Sequence, residues 1–175
     1  SSAGFGGGSS YLAILALTGF SFYQIRSTAL ICNIFVVLGN LILYSNYKII
    51  NWKKTLLLAS LSVPMSYLGG YLKISENLFF ILLGCTLLFA STSMWFSNQI
   101  NSVSIKDIKS NNKLNVIYGG FIGFISGIVG IGGGIFLAPF LHFINWDKAK
   151  KIAASSSLFI LVNSISGLFG QFNNP

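Results

Sequence analysis

Residues Gly127-Ile128-Val129-Gly130-Ile131-Gly132-Gly133-Gly134 interrupt an apolar stretch that runs from Asn115 to Ile144. As one straight helix this stretch would reach about 45 Å, too long for one crossing of a bilayer core of about 30 Å and too short for two. Two half-helices, Val116–Val129 and Ile135–Phe143, joined by unwound glycine backbone, fit the length. Gly119, Gly123 and Gly127 recur every four residues on the first half, which predicts a face packed closely against another helix.

The rest of the chain has the same solvent. Of its 175 residues 53% are hydrophobic and 8% charged, against about a quarter charged in soluble domains. The mean hydropathy is +0.73. A water-soluble globule is excluded, and so is a disordered chain, which would be poor in apolar residues. Four further segments, Thr28–Tyr44, Thr55–Leu72, Leu78–Phe96 and Ile152–Gly170, have or approach the length of a spanning helix. Trp52, Trp95 and Trp146 fall at segment ends, where such rings settle at the headgroup level. Ser75-Glu76-Asn77 reads as a tight turn capping the helix that begins at Leu78. The expected class is an all-α polytopic membrane protein.

The net charge of +8 raises the possibility of a nucleic-acid partner. The lysines, however, sit in short polar breaks: Lys48, Lys53 and Lys54; Lys106, Lys109 and Lys113; Lys148, Lys150 and Lys151. That is the pattern of loops at an anionic membrane face, so no nucleic acid is expected. Cys32 and Cys85 lie in apolar runs without Cys/His spacing, so neither a disulfide nor a metal or other cofactor is expected.

The glycine cluster occurs twice. Gly4-Phe5-Gly6-Gly7-Gly8 repeats the Gly130–Gly134 pattern 126 residues earlier. Each copy continues with an apolar half-helix, a polar turn with a basic residue (Arg26; Lys150 and Lys151), and a helix that starts in Ser/Thr and carries an Asn. Those helices are Ser27-Thr28-Ala29-Leu30 with Asn33, and Ser155-Ser156-Ser157-Leu158 with Asn163. An internal repeat with Gly-interrupted half-helices explains this. Residues 1–113 form the first repeat, truncated at its N-terminus, and 114–175 the second, truncated at its C-terminus, in one integral membrane domain. The parent chain would have about 250 residues if both repeats were complete.

Both nucleotide readings of the glycines fail. No Lys follows either cluster as a phosphate loop requires, neither has the third glycine of a dinucleotide fingerprint at its spacing, and after the first copy no acid appears before Glu76. In a bilayer, unwound backbone survives only where protein buries it or it lines a polar cavity. Glycine-interrupted segments in corresponding places of two repeats point to a transporter's central site. Exposed N–H groups and the positive end of a half-helix dipole suit an anion. No Asp or Glu falls inside an expected span: Glu76, Asp107 and Asp147 are in turns or loops, whereas a cation or proton path usually keeps a carboxylate at depth. The glycine donors are Gly6, Gly7 and Gly8 in one half and Gly132, Gly133 and Gly134 in the other. The uncharged polar candidates include Ser27, Thr28, Asn33, Ser155, Ser156, Ser157 and Asn163. One His and no intramembrane acid do not make a nucleophile–base pair, so an enzyme is not expected.

The string Gly127–Gly134, Leu137-Ala138-Pro139-Phe140-Leu141, Ala153-Ala154-Ser155-Ser156-Ser157-Leu158 and Asn163-Ser164 resembles the TauE/SafE sulfite exporter family over essentially the whole chain. The first copy departs from it, with Thr28-Ala29 for the usual Thr-Ser and no proline matching Pro139. The resemblance implies a multi-pass protein of the bacterial inner membrane. It implies a secondary transporter of small anions, of the sulfite or sulfonate kind, working by alternating access; a passive anion channel is the alternative. Gly6–Gly8 and Gly132–Gly134 would be the site halves. Thr28, Ser156, Ser157 and Asn163 would give side-chain contacts, and Pro139 would shape the second half-helix. Its partners are the substrate anion and the lipid bilayer, with room for a coupling ion and a homo-oligomer.

Charge also bears on topology. If each broken segment crosses once, five cations face one side and six the other. If the broken segments are re-entrant hairpins, the Lys148–Lys151 loop changes sides and the count becomes nine against two. The hairpin version, which also inverts the two repeats, is the expected one.

Overall fold

The computed structural model describes residues 12, 14–15, 17, 19–47, 49–97, 112–144 and 146–173. Six helices, and no strand, are found among them: α1 (Phe22–Asn46), α2 (Trp52–Tyr71), α3 (Glu76–Ser97), α4 (Asn112–Val129), α5 (Gly134–Phe143) and α6 (Ala149–Phe172). By length and composition, α1 and α6 can cross a membrane. The sequence leads to the same expectation for α2, but Ser60, Ser62, Ser66, Pro64 and the pair Gly69-Gly70 dilute its apolar character.

Helix starts lie upstream of where apolarity begins, because local hydrogen bonds set them. Ser21 N–H donates to Gln24 Oε1 at 3.3 Å, half of a capping box, and α1 begins at Phe22 rather than Thr28. Ser75-Glu76-Asn77 is not a separate turn: Phe79 N–H reaches Ser75 O at 3.0 Å, so α3 begins at Glu76.

The helices pack through glycine. A Cβ on Gly119, Gly123 or Gly127 would strike the backbone of Leu58, Ser62 or Ser66, respectively. Each pair is 61 positions apart, so α2 and α4 run parallel with their backbones in contact, as the four-residue glycine spacing predicts. Contacts of α2 with α6 advance in the same sense, from Thr55–Ser155 through Ser62–Asn163 to Tyr67–Gly170. Helix α1 runs the other way. Its Ser27 meets Gln171, Leu30 meets Gly167, and Leu41 and Tyr44 pack with Ala154 and Leu158.

The chain doubles back at the glycine break. Gly127 lies beside Gly167, Gly132 beside Ser164 and Ile160, and Gly133 beside Phe159. Leu137, Leu141 and Trp146 then cluster with Ile152 near the start of α6. Helix α4 is 18 residues long, about 27 Å, and thus nearly a full span. Only α5, with 10 residues, is a half-helix. The starts of α2, α4 and α6 therefore share one end of the bundle, where Lys54 sits 5.5 Å over the Trp146 ring. Lys53, Lys54, Lys113, Lys148, Lys150 and Lys151 belong to that end; Lys73 and Arg26 belong to the other. For the second broken segment this reversal matches the hairpin version of the topology; the glycines of the first lie outside the described residues.

Polarity is distributed inside out. Asn33, Thr55, Ser62, Ser66, Ser126, Ser155, Ser156, Ser157, Asn163 and Ser164 are buried, while Phe35, Ile42, Ile81, Leu88, Phe121 and Phe169 are exposed.

Candidate functional site

Backbone geometry comes first. Gly130, Gly132 and Gly133 take φ of +80°, +80° and +81°, a region that costs an L-residue roughly 1–2 kcal/mol. Helix α4 closes when Gly130 N–H reaches Ser126 O at 2.8 Å, and α5 opens when Phe136 and Leu137 donate to Gly133 O. The first N–H groups of α5, at Gly134 and Ile135, have no intrahelical acceptor. Pro139, buried within α5, has no N–H and leaves Ile135 O without its helical donor. The glycines are needed for space as well as for conformation. A Cβ on Gly132 would stand 2.7 Å from Ser164 Oγ and 3.2 Å from Asn33 Nδ2. One on Gly133 would stand 2.9 Å from the Phe159 ring and 3.3 Å from Ser126 Oγ.

Around this break the helices bring a polar wall. Asn33, from α1, donates its amide to Ile131 O at 2.9 Å. From α2, Ser62 bonds Asn163 Oδ1, and Ser66 donates to Asn163 O at 2.9 Å. Thr55 donates to Ser155 Oγ at 2.9 Å. Several polar atoms of this wall are buried with no hydrogen-bond partner: Asn33 Oδ1, Ser126 Oγ, Ser156 Oγ, Asn163 Nδ2 and Ser164 Oγ. Each such group costs about 1–3 kcal/mol when unpaired, so each of them calls for a further polar partner. Three hydroxyls and one amide can donate here. The set suits a small, oxygen-rich ligand and contains no carboxylate.

The structure brings some of the expected residues together and not others. Gly132, Gly133, Gly134, Pro139, Ser156 and Asn163 are all buried; Gly132 stands beside Ser164, whereas Ser156 lies about 12 Å of helix before Ser164 on α6. Ser157 is buried but returns its hydroxyl to Ala153 O, one turn earlier on its own helix, at 2.9 Å. Thr28 is exposed and lines a surface cavity with Leu15, Phe20, Gln24 and Ile25. Gly6, Gly7 and Gly8 lie outside the described residues.

Ser126 and Ser164 were not among the residues expected at the site. Ser126 had a signal, as a lone hydroxyl in the apolar run just before the glycines; Ser164 had only its place after Asn163. Arg26 requires a correction. The sequence reads it as part of a polar turn, whereas it lies in α1 and is only 1% exposed. Its guanidinium donates to Gly127 O at 3.0 Å and Gly69 O at 3.4 Å. Both carbonyls lie in the last turns of their helices, where orphan acceptors and the negative dipole end attract a cation.

Comparison with known proteins follows from this geometry. A profile described as sulfite exporter TauE/SafE matches residues 1–174. The chain is 35% identical over 166 residues to a probable membrane transporter protein of Sinorhizobium fredii, covering 94% of this chain and 67% of that one. It is 30% identical over 143 residues to a probable membrane transporter protein of Methanocaldococcus jannaschii, covering 78% of this chain and 52% of that one. A probable membrane transporter protein of Bacillus subtilis is 23% identical over 158 residues, with 80% and 58% covered. The chain thus spans between about half and two thirds of the curated relatives it matches. No solved structure matches it significantly. With its glycine break, polar wall and matched length, the chain belongs to the sulfite exporter TauE/SafE family.

Proposed function

We propose that this chain carries the substrate site of a secondary membrane transporter for small anions of the sulfite or sulfonate kind. One observation carries the reading: buried, unpartnered donors on Ser126, Ser156, Asn163 and Ser164 accompany a positive-φ glycine break at the start of a half-helix. Backbone N–H groups at Gly132–Gly134 give an anion its orientation, and the hydroxyls and the amide complete the shell. Pro139 and the reversal at Gly130–Gly133 keep α5 short, so its positive end stays inside the bundle. Gly6–Gly8 supply the corresponding half from the first repeat.

The apolar exterior and polar interior support a multi-pass location in the bacterial inner membrane, with the lysine-rich end cytoplasmic. Helices α1 and α6, which carry the matched Ser/Thr starts and Asn residues, run antiparallel, as inverted repeats do. Rocking one repeat against the other gives alternating access. The sulfur character of the substrate rests on the family description.

The test is flux in proteoliposomes with sulfite, sulfoacetate and sulfate, with and without a pH gradient. Uphill movement of a sulfur oxyanion supports the reading. Flux that no gradient can drive uphill makes the protein a channel, and no anion flux at all overturns the assignment.

A further inference from the structure

Arg26 is the single arginine of the chain and the one buried charge among the described residues. A cation at this depth in a membrane bundle is costly unless a partner holds it, and its partner is the functional question. Two neutral carbonyls, Gly127 O and Gly69 O, take one nitrogen of the guanidinium, and Nε has no partner at all. The described acids, Glu76 and Asp147, are not among its partners; Asp147 instead pairs with Lys151 at 3.5 Å. The two copies of the repeat are thus unlike at this point. The basic residues of the second, Lys150 and Lys151, stand at the surface or half-buried near an acid, while Arg26 is internal.

Its position matters as much as its charge. Arg26 Cα lies 3.2 Å from where a Cβ of Gly130 would stand, so the side chain leaves α1 directly beside the first residue of the break. Asn33, which holds Ile131, follows seven residues later on the same face of α1. The two therefore bracket the unwound segment. A guanidinium has five N–H donors in a planar fork that matches oxyanion geometry, and here Nε–H is the one shown without a partner.

We propose that Arg26 is the anion-selecting residue of this site, its unpartnered Nε–H pairing with the oxyanion that the polar wall orients. The proposal rests on the anion-transport reading. It adds that selection for charge comes from Arg26, whereas the wall recognises oxygen atoms whatever their charge. Helix-end capping accounts for the two carbonyl contacts; it does not account for the bare Nε.

Arg26 is the only arginine of these 175 residues, and phenylglyoxal modification is read on its own peptide without mutation. In the full-length protein reconstituted in liposomes, sulfoacetate, which unlike sulfite does not add to the aldehyde of phenylglyoxal, should slow modification of the Arg26 peptide at least fivefold, read by mass spectrometry. Dimethyl sulfone, an uncharged oxysulfur analogue, should not. Arg26→Gln keeps an amide donor for the carbonyls but removes the charge, and should raise KM for sulfite at least tenfold with the smaller change in Vmax. Arg26→Lys should recover part of that loss. Unaltered modification in saturating sulfoacetate, no modification under any condition, or an unchanged KM in a folded Arg26→Gln protein would each overturn the proposal. If Arg26→Gln does not fold, the protection result on the unmodified protein decides. Anion flux without protection of Arg26 removes this proposal alone, whereas absence of any anion flux removes the transport reading beneath it.

Discussion

The side-chain amide of Asn33, in α1, donates to the carbonyl of Ile131 at 2.9 Å, across 98 positions of sequence. Ile131 is the one residue with a side chain inside the glycine break, and its carbonyl faces the protein interior. This bond spares the unwound backbone an orphan acceptor and fixes the break against α1. Asn33→Ala should cost about 1–3 kcal/mol, the usual penalty for leaving a buried polar group unpaired. Denaturant unfolding in detergent measures the loss. Protease or hydrogen-exchange sensitivity should rise at residues 130–133 before it rises elsewhere.

Glycines in this chain fall into distinguishable kinds. Gly133→Leu places a large side chain at φ +81°, where even a Cβ would be 2.9 Å from the Phe159 ring. It should abolish transport at least tenfold while membrane insertion persists, since α4 and α6 are unaltered; normal flux in that variant would refute a role for the break.

Gly127→Leu meets the backbone of Ser66 instead, so it should separate α2 from α4 and lower stability by about 1–3 kcal/mol or more. Gly84, on α3, has open space around its missing Cβ. Gly84→Ala should leave flux unchanged and raise stability by about 1 kcal/mol or less through helix propensity, and serves as the control in the same thermal-unfolding series.

Parallel packing of α2, α4 and α6 makes a topological prediction. In a background lacking Cys32 and Cys85, single cysteines at Lys53 and Lys150 should react with an impermeant maleimide from the same side of the membrane. A cysteine at Lys73 should react from the opposite side. Labelling of positions 53 and 150 from opposite faces would mean that α5 crosses the membrane rather than turning back.

Much of this protein was legible without coordinates. Low charge and long apolar runs require helices in a bilayer, because lipid satisfies no backbone polar group. The Gly119/Gly123/Gly127 spacing required a close neighbour, and Gly130–Gly134 required an end to helical backbone. These are local facts, written in composition and period. Helix boundaries were read less well at Phe22 and Glu76, since the eye follows apolarity while the backbone follows its first hydrogen bond.

What tertiary structure alone decided is who meets whom. Spacing states that a glycine face is packed, not that Leu58, Ser62 and Ser66 pack it. Nothing near Arg26 in sequence announces Gly69 and Gly127, which are 43 and 101 positions away. Thr28 and Ser156 read alike as Ser/Thr at the start of a helix, yet one faces outward and the other lies in the polar wall. The physical reason is that helical period fixes which residues share a face, but the partner of each face is chosen by the packing of the whole bundle. In this family member that choice surrounds a run of glycines with buried hydroxyls and amides.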